Sequence, residues 1–347
     1  MRIETTTRFA RGGVALLAMT AMLAAWSCDE EGTPPYRCEF AGDGVCDEPV
    51  NCPLGTDEPD CSDACDSGEP THLFAAACDY RETPVKQPDD SLPSNGTLHL
   101  TGHRDGTVVV AGEQSLSENV ERHYRIFVPP SYDPGRAMPL VIALPGHRVS
   151  HYDLASYTEL PRAAEENKFI AVYAEQPYRW QTAEHKWAWW TDWTWSANAE
   201  DNPDLAYFRA VVDRLAGEYN IDLSRVFLVG HSRGGAMSFM GAIELSDVVA
   251  GACVQSGFSE YGFLGARLQT WDGREVPFVF MHGIQDTNVP VAMADQVVDW
   301  IFDLGWQHGE DFLYYRLGDV THRWQPWLNQ QWWSFLSARP LPVEEEP

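Results

Sequence analysis

The feature that most constrains the fold of this chain is the segment VFLVGHSRGGAMSF at residues 226–239. The apolar run VFLV predicts a buried strand, and the residues from Gly234 onward predict a helix. Gly230 and Gly234 permit a tight turn between the two, because side chains there would collide with the strand or the helix. The segment therefore predicts a strand, a strained turn at Ser232 and a helix in direct succession.

Strand-like and helix-like segments alternate along the rest of the chain. Continuous apolar runs, which are typical of buried parallel strands, occur in PLVIALPG, KFIAVYAEQP, VVAGACVQSG and VPFVFMHG. Apolar residues recur at helical spacing in DLAYFRAVVDRLAGEYN and ADQVVDWIFDLG, and hairpin strands are predicted around LHLTGHRDGTVVVAGE and ERHYRIFVPP. This order predicts an α/β fold with a mostly parallel central sheet and helices on both faces.

Composition divides the chain into five segments. A basic start and the apolar run VALLAMTAMLAAW predict a signal peptide over residues 1–27. Cys28 either follows an ordinary cleavage site or carries the lipid of a bacterial lipoprotein. The protein is therefore expected to be secreted or held in the cell envelope, with membrane contact only through a lipid anchor at Cys28. The other predicted segments are a cysteine-rich module at 28–79, a linker rich in Pro, Asp and Ser at 80–97, the main domain at 98–340 and an acidic tail at 341–347.

Residues 38–61 of the cysteine-rich module have almost no apolar side chains with which to build a core, so disulfides are expected to hold this stretch together. An even number of cysteines in an exported stretch predicts three disulfides, whose pairing the sequence leaves open. The cysteines that would form them are Cys38, Cys46, Cys52, Cys61, Cys65 and Cys78. Cys253 lies apart from these in an apolar run and is predicted to be a buried free thiol.

Acidic residues also cluster in this module, at Asp43, Asp47, Asp57 and Asp60. Their carboxylates offer the hard oxygen ligands that Ca²⁺ prefers, while a solvated acidic turn without metal is the alternative. Residues 38–61 resemble the small calcium-binding modules of the Notch-repeat and low-density-lipoprotein-receptor type. That resemblance implies calcium as the ligand.

The net charge of −27 bears on possible partners. A surface with this excess of carboxylates repels phosphate backbones and anionic headgroups. Nucleic acid and anionic membrane surfaces are therefore discounted as partners.

A serine raised at the end of a buried strand is a candidate nucleophile, but its hydroxyl needs a base and the base needs an orienting acid. Asp286 follows the strand-like run VPFVFMHG, and His322 follows LYYRLG in a polar turn. The order Ser232, Asp286, His322, each after a strand, predicts a catalytic triad at the carboxyl edge of the sheet.

Other titratable residues compete for these roles. His282 is expected to point into the domain, and His231 is expected to support the turn. Asp319 lies close in sequence to the predicted base and is an alternative orienting acid. Asp295 and Asp299 lie on a predicted helix, and their carboxylates are expected to face solvent.

Acyl transfer also needs two backbone N–H groups that stabilise the developing oxyanion. The N–H of Arg233, directly after the serine, is one candidate. The N–H of His147, in the loop after PLVIALPG, is the other. An ordinary glycine turn is the alternative interpretation of this loop, and the Arg233 guanidinium is either a substrate contact or solvated.

Tryptophans concentrate in residues 178–201, YRWQTAEHKWAWWTDWTWSANAED. Their rings would stack on sugars or on an aromatic acyl group, or would simply pack an irregular insertion without regular strands. Trp327, with Trp324, would extend the same pocket wall beside His322. The predicted substrate-binding residues are Trp187, Trp189, Trp190, Trp193, Trp195 and Trp324.

The blocks HYRIFVPPSYDPGRAMPLVIALPG, RVFLVGHSRGGAMSFMGAIEL and VPFVFMHGIQDTNVP resemble the secreted polyhydroxybutyrate depolymerase and feruloyl esterase family of α/β-hydrolases. The resemblance covers residues 120–336. It implies an α/β-hydrolase fold and a serine esterase that needs no organic cofactor. It also implies an ester substrate of the feruloyl, acetyl-xylan or polyhydroxyalkanoate type, such as a plant polysaccharide ester or a polyester. The family usually has His-Gly after the first strand, where this chain has Pro145-Gly146-His147, so the oxyanion loop is expected to have an altered shape.

Two other functions are weighed against the esterase. A peptidase or amidase of the same fold would use the same triad, although such enzymes commonly carry a propeller or a longer cap. A non-catalytic surface-binding protein on this scaffold would typically lack a member of the triad. All three residue types are present, which favours the enzyme.

Overall fold

An eight-stranded sheet organises the residues that the computed structural model describes. These are residues 91–110, 120–176, 178–180, 189–191, 193–194, 202–257, 267–268, 271, 273–318 and 320–342. The strands of the sheet are β1 Gly102–Val110, β2 Val120–Val128, β3 Met138–Leu144, β4 Ile170–Ala174, β7 Ile221–His231, β8 Gly251–Gln255, β9 Phe278–Gly283 and β10 Phe312–Leu317. A separate ribbon pairs β5 Tyr178–Trp180 with β6 Trp189–Thr191.

The order of strands across the sheet is β1-β2-β4-β3-β7-β8-β9-β10. β1 and β2 form the antiparallel hairpin that the sequence predicts, and β2 pairs antiparallel with β4. All remaining neighbours are parallel. The prediction of a mostly parallel α/β sheet is confirmed, and the carboxyl ends of β3, β7, β8, β9 and β10 meet along one edge.

Six helices of the described chain cover the two faces of this sheet. They are α1 His151–Tyr157, α2 Leu160–Asn167, α3 Pro203–Glu218, α4 Arg233–Glu244, α5 Val291–Asp303 and α6 Asn329–Ser337. Apolar side chains of α3, α4 and α5 pack on one face, and those of α1, α2 and α6 pack on the other. Strand β7 serves both faces by alternation: Val226 and Leu228 point to the first, Phe227 and Val229 to the second.

Local signals explain where two of these helices begin. Ser150 caps α1 through a reciprocal hydrogen-bonded box with Asp153. Asn202 caps α3 by accepting the Asp204 N–H at 3.0 Å, and Pro203 occupies the first turn.

The end of the predicted linker packs against the domain. The Ser94 N–H donates to the Ile221 carbonyl at 2.9 Å, and the Leu98 N–H donates to the Glu218 carbonyl at 2.8 Å. The Leu92 N–H donates to Asp222 Oδ1 at 2.9 Å. The backbone groups of this segment thus find their partners at the end of α3 and the start of β7.

Candidate active site

Ser232 occupies the turn between β7 and α4 with a backbone conformation that side chains rarely adopt, φ 56° and ψ −123°. The Ser232 N–H donates to the Gln255 carbonyl at the end of neighbouring strand β8, at 2.9 Å. A Cβ at Gly230 would overlap the Gly234 carbonyl, and one at Gly234 would overlap the Leu144 carbonyl. The two glycines thus permit the predicted strand–turn–helix, and the serine is held in a strained position by its surroundings.

Asp286 and His322 lie in hydrogen-bond contact, with His322 Nδ1 2.7 Å from Asp286 Oδ2. The other carboxylate oxygen of Asp286 accepts the N–H groups of Asn288 at 2.9 Å and Val289 at 2.8 Å. A ring that donates its Nδ1 proton to a carboxylate keeps its Nε2 lone pair for accepting a proton. The structure therefore joins the predicted acid and base in the orientation that general-base chemistry requires.

The electrostatics of Asp286 favour its ionised form. Burial alone would raise the pKa of this carboxyl, but the hydrogen bonds from the Val289 N–H and the His322 ring, together with the charge of a protonated His322, hold it below its ordinary value. The carboxylate stays charged at neutral pH and can stabilise a protonated His322.

The His322 ring also lies beside the turn that carries the serine. Its centroid is 4.8 Å from that of His231, the residue directly before Ser232. Burial, with a smaller effect from neighbouring His322, lowers the pKa of His231 to about 3. His231 is therefore a neutral packing partner of the predicted base, in keeping with the supporting role expected of it.

The competing residues take other places. His282 is buried behind Asp286, with its Nε2 2.8 Å from the Val289 carbonyl, and burial lowers its pKa. Asp299 is exposed. Asp295 was expected to face solvent, but its carboxylate accepts the Tyr314 hydroxyl at 2.6 Å. The contact forms because Tyr314 on β10 reaches helix α5. Asp319 lies outside the described residues.

The loop after β3 contacts the serine turn. A Cβ at Gly146 would lie 3.2 Å from the Ser232 Cβ, which shows how closely the two backbones approach. The Val149 N–H closes a turn onto the Gly146 carbonyl at 3.1 Å, with Arg148 at φ 61°. His147 lies in this turn, directly after Gly146, and Arg233 directly follows Ser232 at the start of α4.

Two of the predicted substrate-binding tryptophans are buried instead. Trp193 is 1% exposed, and its indole N–H donates to the Pro145 carbonyl at 3.0 Å. Trp324 packs in the core beneath α6 and donates to Asn329 Oδ1 at 3.2 Å. In both residues the apolar ring therefore lies in the core and the indole N–H is satisfied there.

The other aromatic predictions have mixed outcomes. Trp327, in the short 3-10 helix Pro326–Leu328 that follows His322, is 56% exposed. Trp189 and Trp190 belong to β6, so the insertion contains a short ribbon where an irregular segment was expected. Trp187 and Trp195 lie outside the described residues.

Sequence reasoning missed Gln255, which links the two halves of the site. Its backbone carbonyl holds the Ser232 N–H, and its side-chain Oε1 accepts the Gln325 N–H at 2.8 Å, three residues after His322. The side chain is fully buried. The available signal was an amide side chain at the end of an otherwise apolar strand, VVAGACVQSG, where a polar group needs a partner.

The remaining predictions concern cysteines and metal. Cys253 is a buried free thiol as expected, and burial raises its pKa. The six cysteines of the predicted disulfides and the four aspartates of the predicted calcium site lie outside the described residues. Within the described ranges, His, Cys, Asp and Glu residues form no cluster of three or more that could hold a metal ion. None of the helices in those ranges is long and apolar enough to cross a membrane.

A family model described as phospholipase/carboxylesterase matches residues 135–315, more than half of the chain. A bifunctional acetylxylan esterase/xylanase of Neocallimastix patriciarum is 25% identical over 165 residues. That alignment covers 48% of this chain and 21% of the relative, so the chain spans about a fifth of that protein's length.

Solved structures of α/β-hydrolases share the fold. The acetyl xylan esterase of Aspergillus awamori superposes with a TM-score of 0.54 at 16% identity, covering 67% of this chain and 99% of that one. A ferulic acid esterase of Anaeromyces mucronatus, in complex with ferulic acid, superposes with a TM-score of 0.50 at 13% identity, covering 69% and 92%. These likenesses establish the α/β-hydrolase fold for this chain.

Proposed function

Because this chain belongs to the phospholipase/carboxylesterase family, we propose that it hydrolyses carboxylic esters with Ser232 as nucleophile, His322 as general base and Asp286 as orienting acid. The observation that carries the proposal is the 2.7 Å contact of His322 with Asp286 beside a serine held at φ 56° between strand and helix. A strained serine, a base held through its Nδ1 and a buried carboxylate are the three parts that a serine hydrolase requires.

The reaction proceeds in two halves. Ser232 Oγ attacks the ester carbonyl while His322 Nε2 takes its proton, and the backbone N–H groups of Arg233 and His147 stabilise the oxyanion. The tetrahedral intermediate collapses to an acyl-serine, and the leaving alkoxide receives the proton from His322. Water then attacks the acyl-serine with His322 again as base, which releases the acid and restores Ser232. No step requires a metal or an organic cofactor.

The proposed substrates are acetylated or feruloylated plant polysaccharides, with polyhydroxyalkanoates as the second class. Support comes from the acetylxylan esterase relative and from the fold shared with acetyl xylan and ferulic acid esterases. An amide substrate is the competing possibility, since the same groups cleave both bonds. A non-catalytic binding protein is a weaker alternative, because such a protein has no use for a strained serine.

The experiment has two arms. Folded wild-type protein is treated with a fluorophosphonate probe, and the labelled peptide is identified by mass spectrometry. We expect the adduct on Ser232 and none in Ser232→Ala; wild-type protein that takes up no probe would refute the enzyme and favour the binding protein. In parallel, acetylated xylan, methyl ferulate, a hydroxybutyrate oligomer and a peptide anilide are compared as substrates. Turnover of the anilide above every ester would assign the amidase instead.

Export, lipidation and calcium binding belong to the same proposal. We propose that the chain is processed before Cys28 and that three disulfides hold the cysteine-rich module, with Ca²⁺ bound by Asp43, Asp47, Asp57 and Asp60. Intact-mass measurement of the mature protein, before and after reduction, gives the cleavage site, any lipid and the number of disulfides. Calorimetric titration of the full chain with CaCl₂ tests the metal, and the absence of binding heat would remove calcium from the proposal.

A further inference from the structure

The carbonyl of Pro145 is held by two buried side chains that the proposed chemistry does not itself use. Gln176 Nε2 and Trp193 Nε1 each donate to it at 3.0 Å. Both side chains are 1% exposed. Two donors on one carbonyl, both withdrawn from water, fix the orientation of that peptide more strongly than a single exposed hydrogen bond would.

The donors come from different parts of the chain. Gln176 lies two residues beyond the end of β4, the strand beside β3 in the sheet. Trp193 lies between β6 and α3, within the tryptophan-rich insertion. The clamp therefore connects the loop after β3 both to the neighbouring strand and to the insertion.

The part of the insertion around Trp193 is itself rigidly anchored. The Thr194 N–H donates to Asp204 Oδ2 at 2.6 Å, and Asp204 Oδ1 pairs with Arg122 at 2.8 Å in a buried ion pair. The Trp193 ring packs on Phe208 of α3, with centroids 5.6 Å apart. These contacts fix the position of Trp193 and therefore the direction of its indole N–H.

Peptide geometry carries this constraint into the loop. In a planar trans peptide the N–H points opposite to the C=O, so holding the Pro145 carbonyl also directs the Gly146 N–H. The next carbonyl, that of Gly146, accepts the Val149 N–H at 3.1 Å. Because the His147 N–H belongs to the same peptide as this carbonyl, it points in the opposite direction, away from Val149. Both peptides of the segment that touches Ser232 therefore have their orientation set by hydrogen bonds on their carbonyl side.

Gln176 also keeps a buried polar atom unpaired. Its Oε1 has no hydrogen-bond partner within the described part of the chain. A buried unpaired acceptor costs about 1–3 kcal/mol, so an apolar side chain of similar shape would be cheaper if packing were the only requirement. What the Gln176 amide provides at this position is its Nε2–H, which donates to the Pro145 carbonyl.

We infer that Gln176 and Trp193 are positioning residues, which orient the oxyanion-binding loop Pro145–His147 by clamping the Pro145 carbonyl. The inference rests on the proposed serine-esterase function, because only a reaction with an oxyanion makes the direction of these N–H groups matter. It also gives Trp193 a role in transition-state stabilisation in place of the predicted substrate contact.

The test compares Gln176→Met and Trp193→Phe with wild type, using p-nitrophenyl acetate for kcat and KM and a phenylboronic acid as transition-state analogue. Each variant should lower kcat by about tenfold, less than the loss of a whole oxyanion donor, with KM within about twofold of wild type. The inhibition constant of the boronic acid should rise by the same factor as kcat/KM falls. Gln176→Met should keep its thermal midpoint, because it removes an unpaired buried acceptor together with the donor.

Trp332→Phe is the matched control, because its buried indole also donates to a side-chain carbonyl, Asn329 Oδ1 at 3.2 Å. This variant should lose stability but keep its kcat and its boronic acid affinity. Folded Gln176→Met with wild-type kcat and wild-type boronic acid affinity would overturn the inference. So would a rise in KM at constant kcat in Gln176→Met and Trp193→Phe, or an equal fall of kcat in Trp332→Phe. A wild-type protein without turnover and without fluorophosphonate labelling would instead refute the proposed function, and this inference with it.

Discussion

The two ends of strand β7 differ in whether their buried polar groups have partners. At the amino end, Asp222 and Arg225 form a buried ion pair at 2.6 Å. Asp222 also accepts the Ser224 hydroxyl at 2.6 Å, and the Arg225 Nε donates to the Ser337 carbonyl at 3.2 Å. At this end the charged groups are neutralised and hydrogen-bonded.

At the carboxyl end the same strand leads into strain and unpaired polar groups. Ser232 has a φ of 56°, and two ring or amide nitrogens, His231 Nε2 and Gln255 Nε2, are buried without a hydrogen-bond partner among the described residues. Each such feature costs about 1–3 kcal/mol. The polar groups at the amino end of β7 are therefore paired, whereas strain and unpaired polar groups lie at the carboxyl ends of β7 and β8, where ligands of parallel α/β sheets bind. The contrast predicts that substitutions at the two ends affect different measurements.

The largest expected effect is on catalysis at the carboxyl end. Ser232→Ala should lower kcat for p-nitrophenyl acetate by roughly 10⁵-fold, because the nucleophile is lost while the remaining groups still bind the substrate. The thermal midpoint should hardly change, since alanine keeps the same backbone conformation. A variant with more than a hundredth of wild-type kcat would remove Ser232 from the mechanism.

The next effect is on stability at the amino end. Arg225→Met should lower the free energy of unfolding by about 3–5 kcal/mol in urea, because Asp222 would be left as an uncompensated buried charge. The kcat of the folded fraction should stay at the wild-type value. Arg209→Met is the matched control: its pair with Asp247 is exposed, and its loss should cost at most about 1 kcal/mol. Equal losses in the two variants would contradict the assignment of stability to the amino end.

A smaller effect should depend on pH and arises again at the carboxyl end. The folded protein holds the His231 pKa at about 3, below the ordinary 6.5, so the unfolded chain binds a proton there before the folded chain does. The stability associated with neutral His231 is fully present above about pH 6.5 and is lost progressively as the pH falls to about 3.

His231→Gln should therefore flatten the acid side of the stability curve by a few kcal/mol, as measured by urea unfolding between pH 7 and pH 4. His123→Gln, on an exposed side chain, provides the control. An acid branch as steep in His231→Gln as in wild type would show that other groups cause the loss.

The smallest effect concerns the strain itself. Ser232→Gly should raise the free energy of unfolding by about 1 kcal/mol, because glycine adopts a positive φ without strain. This relief of strain should exceed the cost of the greater conformational entropy that glycine has in the unfolded chain. Activity should be lost as completely as in the alanine variant. Unfolding at the same urea concentration as wild type would show that the turn stores no strain.

Much of the fold could be predicted because its signals are local. Continuous apolar runs predict β3, β4, β8 and β9, which are strands buried on both faces of the parallel sheet. Helical spacing of apolar residues predicts α3 and α5. The turn at Ser232 could be predicted for the same reason, since two glycines four residues apart are needed where backbone meets backbone. The pairing of Asp286 with His322 was suggested by chain order alone, and the assignment of the catalytic roles stays a prediction.

Side chains with both apolar and polar character could not be placed in the same way. Trp193 and Trp324 were expected at the surface of a pocket and are buried, while Trp327, three residues after Trp324, is exposed. Neighbouring residues of one type differ in this way because burial of an indole requires both a place in the packed core and a partner for its N–H, and the tertiary structure provides these for Trp324. Gln176 and Gln255 were missed because their partners, Pro145 and Gln325, are distant in sequence.

The sequence by itself determined the strands of the main sheet, most of the helices that cover it, the strained serine turn and the acidic net charge, because periodicity, glycine spacing and charge are properties of short segments. Only the tertiary structure decided which polar side chains meet. It placed His322 against Asp286, Gln255 between the turn and the His322 loop, and Gln176 with Trp193 on the Pro145 carbonyl. The physical reason is that a buried donor or acceptor needs a partner in space, and the packing of the sheet and helices decides which residue that partner is.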